Sequence, residues 1–422
     1  MTKSSIKTLV GSIKQHVVRV VLAAGVGGIV GLLVTGIQGV TLTQILERVR
    51  ELPLLAMAAA PALGLLLAAL CLRFIAGGAP PQVADAYIGS LHEPDAPLDL
   101  SPLPGRLFAA IMTIGMGGAL GLGGVALYAG AGVGAFAETR IGRFIGDRDT
   151  KMLMIAGAAA GIAALFQTPI TGVIFALEVP YTKGVGRQNP IPILVASLAG
   201  YFVNVGFRGQ SYLFDVIGET NLNWRGLLLA IAIGLIAGAV AHSFAILLRI
   251  SRQIACRYPL WIRLLISGTA LFGVVILAAT FAKDGEILGT GLLAIEWALD
   301  PTHAAGAIAG MLILRISATA LTLSGDGVGG VFTPLVSAGV LVGRFASGVV
   351  GRADETVFAV IGGAAFLGAG YRVPFAAVTF ALETTGRPEF IIPAIIAVLA
   401  AHLTMGSQSV SEEQRNDLEA TW

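Results

Sequence analysis

The sequence has 422 residues, of which 55% are hydrophobic and only 12% are charged, and its mean hydropathy is +0.83. This composition excludes an ordinary soluble globular protein and indicates a chain that is solvated by lipid. The formal net charge of +2 comes without a long basic tract, so the sequence does not suggest nucleic acid as a partner.

The first apolar stretch, Val17–Ile37, follows a basic flank made of Lys3, Lys7, Lys14 and Arg19. By the positive-inside tendency, this flank predicts a cytoplasmic N-terminus. The stretch is too long for the hydrophobic region of a signal peptide, and no small-residue cleavage site follows it. We therefore expect it to remain as a membrane helix.

Further apolar stretches near or above the roughly 20 residues that cross a bilayer follow along the chain. They are Leu54–Cys71, Leu107–Gly134, Gly226–Leu248 and Ala304–Leu323. The polar stretches between them are short, so residues 1–422 are predicted to form a single membrane domain with a cytoplasmic tail at 407–422. The predicted fold class is an all-α polytopic membrane protein, and its 56 glycines favour closely packed, tilted and broken helices.

An internal repeat indicates two related halves of the chain. The segment Gly157–Pro169, which leads to Glu178, recurs as Gly362–Pro374, which leads to Glu383. The prolines and the glutamates are each 205 positions apart, so the register holds through the whole segment. We place the halves at about residues 17–206 and 225–406, and expect them to have inverted topology with the substrate site at their interface.

A second recurrence concerns Gly123-Gly124-Val125 and Gly329-Gly330-Val331, which are 206 positions apart and each precede an apolar run. Glycine-rich helix starts leave backbone N–H groups exposed and carry about half an elementary charge, which can hold an anion without trapping it. Three such starts are predicted in the chain. They are Gly77-Gly78-Ala79-Pro80, Gly121–Val125 and Gly327–Pro334.

In order and spacing, these three segments resemble the anion-binding signatures of the CLC family of chloride channels and chloride/proton antiporters. The third is the most specific, since Gly329-Gly330-Val331-Phe332-Thr333-Pro334 resembles the family's G-G-[I/V/L]-F-x-P. The resemblance covers nearly the whole chain. It implies a CLC-type inverted repeat, a homodimer with one anion pathway per subunit, and cytoplasmic termini. It also implies anion binding by Val331 and Phe332, whose N–H groups would be the donors.

Departures from the family pattern fall at functional positions. In the first signature Gly77 replaces the serine that donates a hydroxyl to the anion, so the backbone at Gly77 and Gly78 would have to serve. In the second, Gly123 holds the position of the gating glutamate and is followed by Gly124. The proton-relay glutamate of the antiporters falls on Val179. The family's pore tyrosine falls approximately on Ser411.

Because neither Gly123 nor Val179 can carry a proton, the sequence predicts passive permeation of chloride or similar small anions, uncoupled from protons. Two alternatives stay open, namely proton-coupled antiport and a CLC fold with a disabled pathway. An intramembrane enzyme would need a nucleophile and base or a metal cluster, and the sequence shows neither. A sodium-coupled symporter would be distinguished from these possibilities by uptake that depends on sodium. We therefore expect no enzymatic activity, cofactor or metal, and a multi-pass protein of a prokaryotic inner membrane.

Other ionisable residues have two possible roles each. Glu178 and Glu383 occupy equivalent places in the two halves, which favours a structural role, such as bonding to helix ends, over ion handling. Asp326 could steer anions but fits a solvated loop carboxylate better. Arg372 either adds positive potential near the pathway or packs against helix termini.

Overall fold

The structure of the protein is a computed structural model that describes residues 3–93, 98–141, 151–214, 224–282, 285–351 and 355–416. Within these ranges the chain is helical, and its β-type pairing is limited to two isolated bridges. The predicted all-α fold class is confirmed. The helices are α1 Lys3–Gln38, which continues as a π-helix at Gly39–Leu46, α2 Glu47–Arg50, α3 Leu54–Phe74, α4 Ala84–His92, α5 Leu103–Gly115, α6 Gly123–Ile141, α7 Met152–Phe166, α8 Pro169–Glu178, α9 Pro190–Arg208, α10 Trp224–Ala255, α11 Leu260–Ala278, α12 Leu292–Leu299, α13 Ala305–Ser324, α14 Phe332–Val350, α15 Glu355–Gly370, α16 Pro374–Thr385, a 3-10 helix at Pro388–Phe390, and α17 Ile391–Met405.

Eight of the described helices are long and apolar enough to cross a membrane. Four of them contain or closely match the apolar stretches predicted near the N-terminus, at Leu54–Cys71, at Gly226–Leu248 and at Ala304–Leu323. The side chains of Lys3, Lys7 and Lys14 and parts of the polar stretches, at 94–97, 142–150, 215–223 and 417–422, lie outside the described residues.

The apolar stretch Leu107–Gly134 does not form one continuous helix, and the helix start predicted at Gly121–Val125 lies within it. The chain breaks there into α5, which ends at Gly115, and α6, which begins at Gly123. Gly117 adopts a φ of +95°, which an L side chain resists, and the N–H of Gly118 returns to the Thr113 carbonyl at 2.8 Å. The break therefore places the start of α6 inside the protein, where its first residues are buried.

Glycines let the backbones of α6 and α7 touch. A Cβ on Gly130 would lie 2.0 Å from the Gly157 carbonyl oxygen, closer than atoms can approach. The same contact recurs between α14 and α15, where a Cβ on Gly339 would lie 2.3 Å from the Gly362 carbonyl oxygen. The abundant glycine therefore serves close helix packing, as lipid-embedded bundles require, in equivalent places of the two halves.

The equivalence of Gly123-Gly124-Val125 with Gly329-Gly330-Val331 is wrong. Helix α6 begins at Gly123 and α14 begins at Phe332, and these two starts are 209 positions apart. The antiparallel bridge between Gly121 and Gly330 has the same spacing. A short glycine motif can be aligned between the two halves at several spacings, whereas the backbone pairing of Gly121 with Gly330 selects a single spacing. The structural equivalent of Gly123 is thus Phe332.

Candidate functional site

The starts of α6 and α14 are held side by side at the centre of the molecule. Gly121 donates its N–H to the Gly330 carbonyl at 2.7 Å, and Gly330 donates its N–H to the Gly121 carbonyl at 2.8 Å. Both segments leave this bridge and enter their helices within three residues, at Gly123 and Phe332. Two positive helix ends therefore meet at one place, which favours negative charge there.

Two threonines support this arrangement reciprocally. The hydroxyl of Thr113, on α5, accepts the N–H of Val328 at 3.0 Å. The hydroxyl of Thr322, on α13, accepts the N–H of Ala119 at 3.1 Å. Each half thus binds the segment that leads into the other half's helix, and all four residues are buried or nearly so.

An aromatic cluster surrounds Phe332, the first residue of α14. Its ring stacks on Phe166 with centroids 4.8 Å apart, and it meets Phe175 and Phe380 edge-on, each at 5.1 Å. Phe175 also contacts Tyr371 at 5.7 Å. These five rings, which we call the aromatic cluster, come from helices α7, α8, α14 and α16 and from the α15–α16 turn.

On one side of the aromatic cluster lies a cavity of about 60 Å³, which we call the tyrosine cavity. Its walls include the start of α4, the end of α10 and the loop before α14. Its lining residues include Asp85, Arg252, Arg263, Asp326, Gly330, Val331 and Tyr371. Both Val331 and Tyr371 are largely buried, and both line this cavity.

On the other side lies a larger cavity of about 950 Å³, lined by Leu122, Phe166, Gln167, Thr333 and residues of α12, among others. Val331 lines the tyrosine cavity and Thr333 lines the large cavity, so Phe332 lies between the two. Both cavities therefore lie next to the paired starts of α6 and α14, and the aromatic cluster separates one cavity from the other.

The charged side chains of the tyrosine cavity are arranged in pairs. Asp85 lies 3.8 Å from Arg252 and accepts the hydroxyl of Ser411 at 2.7 Å. Asp326 lies 2.6 Å from Arg263. Enclosure away from water raises the pKa of Asp85, while Arg252 and the Ser411 hydroxyl act in the opposite direction. The Asp326 carboxylate is thus ion-paired and only partly exposed, rather than freely solvated.

The two repeated glutamates bind the helix starts of the opposite half. Glu178, at the end of α8, accepts the N–H groups of Phe375 and Ala376 at 3.1 and 2.8 Å, at the start of α16. Glu383, on α16, accepts the N–H groups of Ile170 and Thr171 at 2.8 and 2.7 Å, at the start of α8. The predicted bonding of these carboxylates to helix ends is confirmed.

Comparison with known proteins connects this geometry to one family. The profile described as voltage gated chloride channel matches residues 63–406, which include both paired helix starts and both glutamates. The chain belongs to the voltage-gated chloride channel family. The resemblance of the glycine-rich segments to the CLC signatures is confirmed at the level of the family, and the chain is a multi-pass membrane protein.

Two bacterial transporters are among the proteins to which this chain is similar. The chain is 27% identical over 316 residues to the H(+)/Cl(-) exchange transporter ClcA of Citrobacter koseri, covering 71% of this chain and 65% of that protein. It is 25% identical over 424 residues to the protein of the same name from Yersinia pestis, covering 94% of this chain and 86% of that protein. The match thus spans just under two thirds of the Citrobacter koseri protein.

Solved CLC structures share the fold. A CLC-type fluoride/proton antiporter superposes with a TM-score of 0.79 at 24% identity, covering 95% of this chain and 98% of that chain. A slow cyanobacterial Cl⁻/H⁺ antiporter superposes with a TM-score of 0.79 at 20% identity, covering 92% and 94%. The predicted CLC-type fold is confirmed by these superpositions.

Among the CLC positions predicted to bind an anion, Val331 and Phe332 lie at a helix start beside a cavity. Val331 is the residue that precedes α14, and Phe332 is its first residue. Gly124 lies in the same place, because a Cβ on it would come within 2.8 Å of the Gly330 Cα. Binding of an anion by these residues stays a prediction.

The first CLC signature does not begin a helix where the sequence predicted. Gly77 and Gly78 have φ values of +64° and +79° and form an exposed turn after α3, closed by the Gly78 N–H bond to the Leu72 carbonyl at 2.8 Å. Helix α4 begins only at Ala84. Residues 81–85, rather than Gly77 and Gly78, therefore line the tyrosine cavity.

Gly123, at the gating-glutamate position of the family, faces the aromatic cluster. A Cβ there would lie 3.0 Å from the Phe332 Cβ and 3.5 Å from Phe166. Val179, at the proton-relay position, is fully buried at the end of α8, and its carbonyl accepts the side-chain amide of Gln414 at 2.7 Å. Neither position holds an ionisable group.

Ser411 comes close to the tyrosine cavity, but its hydroxyl donates to Asp85. Arg372 donates to the carbonyl of Thr182, in the loop after α8, and to that of Gly406, at the end of α17, which agrees with its predicted packing against a helix terminus. The sequence analysis missed Asp85 and Tyr371. A signal for Tyr371 was present, because it is the one phenol inside the second repeat segment, directly before Arg372.

Proposed function

We propose that this protein lets chloride or similar small anions cross the membrane, and that the flux is not coupled to protons. The observation that carries the proposal is the paired start of α6 and α14, with Gly123 and Phe332 in equivalent places. Two helix ends attract an anion without a fixed cation, and no side chain at Gly123 competes with it. Because a carboxylate is missing at Gly123 and at Val179, the side chains at these two positions cannot pass a proton.

Two other functions have supporting observations. The bacterial relatives are named as exchange transporters, and Asp85 is a largely enclosed carboxylate on the tyrosine cavity, so proton-coupled exchange by another route is the first alternative. The aromatic cluster lies between the two cavities, so a closed pathway in a retained fold is the second.

We also propose a homodimer with one pathway per subunit, a single membrane domain over residues 1–422 with halves near 17–206 and 225–406, cytoplasmic termini, and a place in a prokaryotic inner membrane. One pathway per subunit is supported by the fact that each chain contains both cavities and both helix starts. Large apolar side chains on several spans are exposed, which leaves faces for lipid or a second copy.

The test uses purified protein in vesicles loaded with chloride and a pH-sensitive dye. A chloride gradient with a potassium ionophore should release chloride while the lumenal pH stays constant. Uphill proton movement driven by the chloride gradient would favour the exchanger. Folded, dimeric protein that releases neither ion would favour the closed pathway. Vesicles without protein give the background leak.

A further inference from the structure

The aromatic cluster consists of two repeat-equivalent pairs of rings around Phe332. Phe166 and Tyr371 are 205 positions apart, and so are Phe175 and Phe380. Phe166 lines the large cavity and Tyr371 lines the tyrosine cavity. The cluster therefore presents one ring of an equivalent pair to each cavity.

The residues that follow these two rings share an unusual backbone conformation. Gln167, after Phe166, has a φ of +57°, and Arg372, after Tyr371, has a φ of +58°. This left-handed conformation is uncommon for residues other than glycine, and glycine is the usual residue where it follows a helix. Long polar side chains at both positions indicate that the side chains themselves have a use.

Both side chains reach the end of the last membrane span in their own half of the chain. The Nε2 of Gln167 donates to the Gly209 carbonyl at 2.8 Å, and Gly209 directly follows α9. The Nη1 of Arg372 donates to the Gly406 carbonyl, and Gly406 directly follows α17. Carbonyl groups at a helix end lack intrahelical donors, so they accept such bonds readily. Each turn that carries a ring is thus tied to a helix end.

Further hydrogen bonds fix the turn after Phe166. The Gln167 amide also donates to the Asn204 Oδ1 at 3.1 Å and accepts the N–H of Ser211 at 2.9 Å. Phe166 is joined to Gln167 by one peptide unit, and its ring stacks on Phe332 with centroids 4.8 Å apart. A shift of this turn would therefore displace the ring from the cluster. On the other side, Arg372 has its second bond to the Thr182 carbonyl at 3.2 Å.

We propose that Gln167 and Arg372 are positioning residues that keep the passage between the two cavities closed. Gln167 holds the Phe166 ring on the side of the large cavity, and Arg372 holds the Tyr371 ring on the side of the tyrosine cavity. The path of chloride then has two barriers in series, each fixed from its own side. Halves of inverted topology would place equivalent elements on opposite sides of the substrate site, as this arrangement requires. The inference rests on the proposed function.

The first measurement follows the rings by fluorine NMR of the purified full-length protein. One sample carries 4-fluorophenylalanine at position 166 alone, and a second carries 3-fluorotyrosine at position 371 alone. Gln167→Met removes the hydrogen bonds at nearly constant side-chain volume, and Arg372→Met removes those on the other side. Gln167→Met should shift or broaden the signal from position 166 much more than that from position 371, and Arg372→Met should do the reverse. Equal effects on both signals, or none, would overturn the inference.

The second measurement is chloride efflux from vesicles per folded molecule. With two equal barriers in series, loss of one should raise efflux by at most about twofold, so each single variant should differ little from the wild type. The double variant lacks several hydrogen bonds of about 1 kcal/mol each, so its efflux should rise by roughly tenfold. Thr139→Val is the matched control. It removes a hydroxyl that donates to the Phe136 carbonyl at 2.8 Å at the exposed end of α6, outside both cavity linings, and should leave efflux unchanged.

The two proposals can fail separately. If the wild type passes chloride and the double variant passes it no faster, the inference is wrong while the proposed function stands. If the wild type passes no chloride, the proposed function fails, and the fluorine signals decide the inference alone. Should a Met variant not fold, a Gly variant at the same position replaces it, because glycine adopts positive φ without strain and also lacks the hydrogen bonds.

Discussion

Replacing Glu178 tests whether the repeated glutamates hold the two halves together or handle ions. Its carboxylate is 2% exposed and accepts the N–H groups of Phe375 and Ala376. In Glu178→Ala both donors at the start of α16 lose their acceptor, and the N–H of Ala376 is then buried without a partner. In Glu178→Gln one oxygen remains, but the amide's own N–H₂ group then faces one of the donors.

The magnitude follows from the two bonds that are lost. Hydrogen bonds to a charged group contribute about 1.5–3 kcal/mol each, so two are worth about 3–6 kcal/mol. Burial of the carboxylate destabilises the folded wild type, and this destabilising contribution is absent in the alanine variant. The net loss of stability should be about 2–4 kcal/mol for Glu178→Ala and about half of that for Glu178→Gln.

Thermal unfolding in detergent, followed by tryptophan fluorescence and by the fraction of monodisperse protein, measures the effect. The control is Glu389→Ala, whose exposed carboxylate lies on the 3-10 helix and should change stability by no more than about 0.5 kcal/mol. Chloride flux per folded Glu178→Gln molecule should match the wild type. A variant with unchanged melting behaviour and altered proton movement would refute the structural role.

Four further predictions concern other parts of the chain. Gly123→Glu and Gly123→Gln both crowd Phe332, whose Cβ lies 3.0 Å from the added Cβ. Only the Glu variant should regain chloride efflux in acid, because only its side chain can be neutralised by a proton. If both variants respond to pH in the same way, side-chain size alone blocks the flux. Neither variant should acquire proton coupling. Asp85→Asn should raise chloride affinity several-fold by removing a negative charge from the tyrosine cavity. Because enclosure raises the pKa of Asp85, its carboxylate should take up a proton at a higher pH than a solvated aspartate, so chloride binding to the wild type should increase as the pH falls. Chloride binding to the Asn variant should not change with pH. If acid still increases binding to the variant, another group causes the effect. Gly157→Ala should lower the yield of folded protein sharply, because the new Cβ would lie 2.1 Å from a carbonyl oxygen of α6, while Gly28→Ala, with open space around it, should not; equal yields would contradict the close packing. Linked dimers with one blocked subunit should keep roughly half of the chloride flux, and complete loss would indicate a shared pore.

The repeat in the sequence was enough to anticipate the role of the two glutamates. Positions 178 and 383 share a register of 205 residues, and residues at equivalent places of two related halves have equivalent surroundings. The structure gives each carboxylate the start of the other half's helix. Sequence could not say which helix start, because that depends on how the halves face each other.

Glycine patterns predicted the helix starts unevenly. Gly123 and the segment before Phe332 do begin helices, whereas Gly77 and Gly78 close a turn. Both outcomes use the same property of glycine, its tolerance of positive φ and of close approach. A local motif therefore marks a place where the backbone is unusual without saying which unusual conformation it takes.

The sequence by itself determined that this is a lipid-embedded, helical protein of two related halves, because hydropathy and a conserved internal spacing are properties of the chain alone. Only the tertiary structure decided what meets at the site. Asp85 and Ser411 are 326 positions apart and share a hydrogen bond, and the Ala119 N–H donates to the hydroxyl of Thr322, which lies 203 positions further along the chain. Such contacts depend on how helices pack, and no pattern local to either residue specifies the partner.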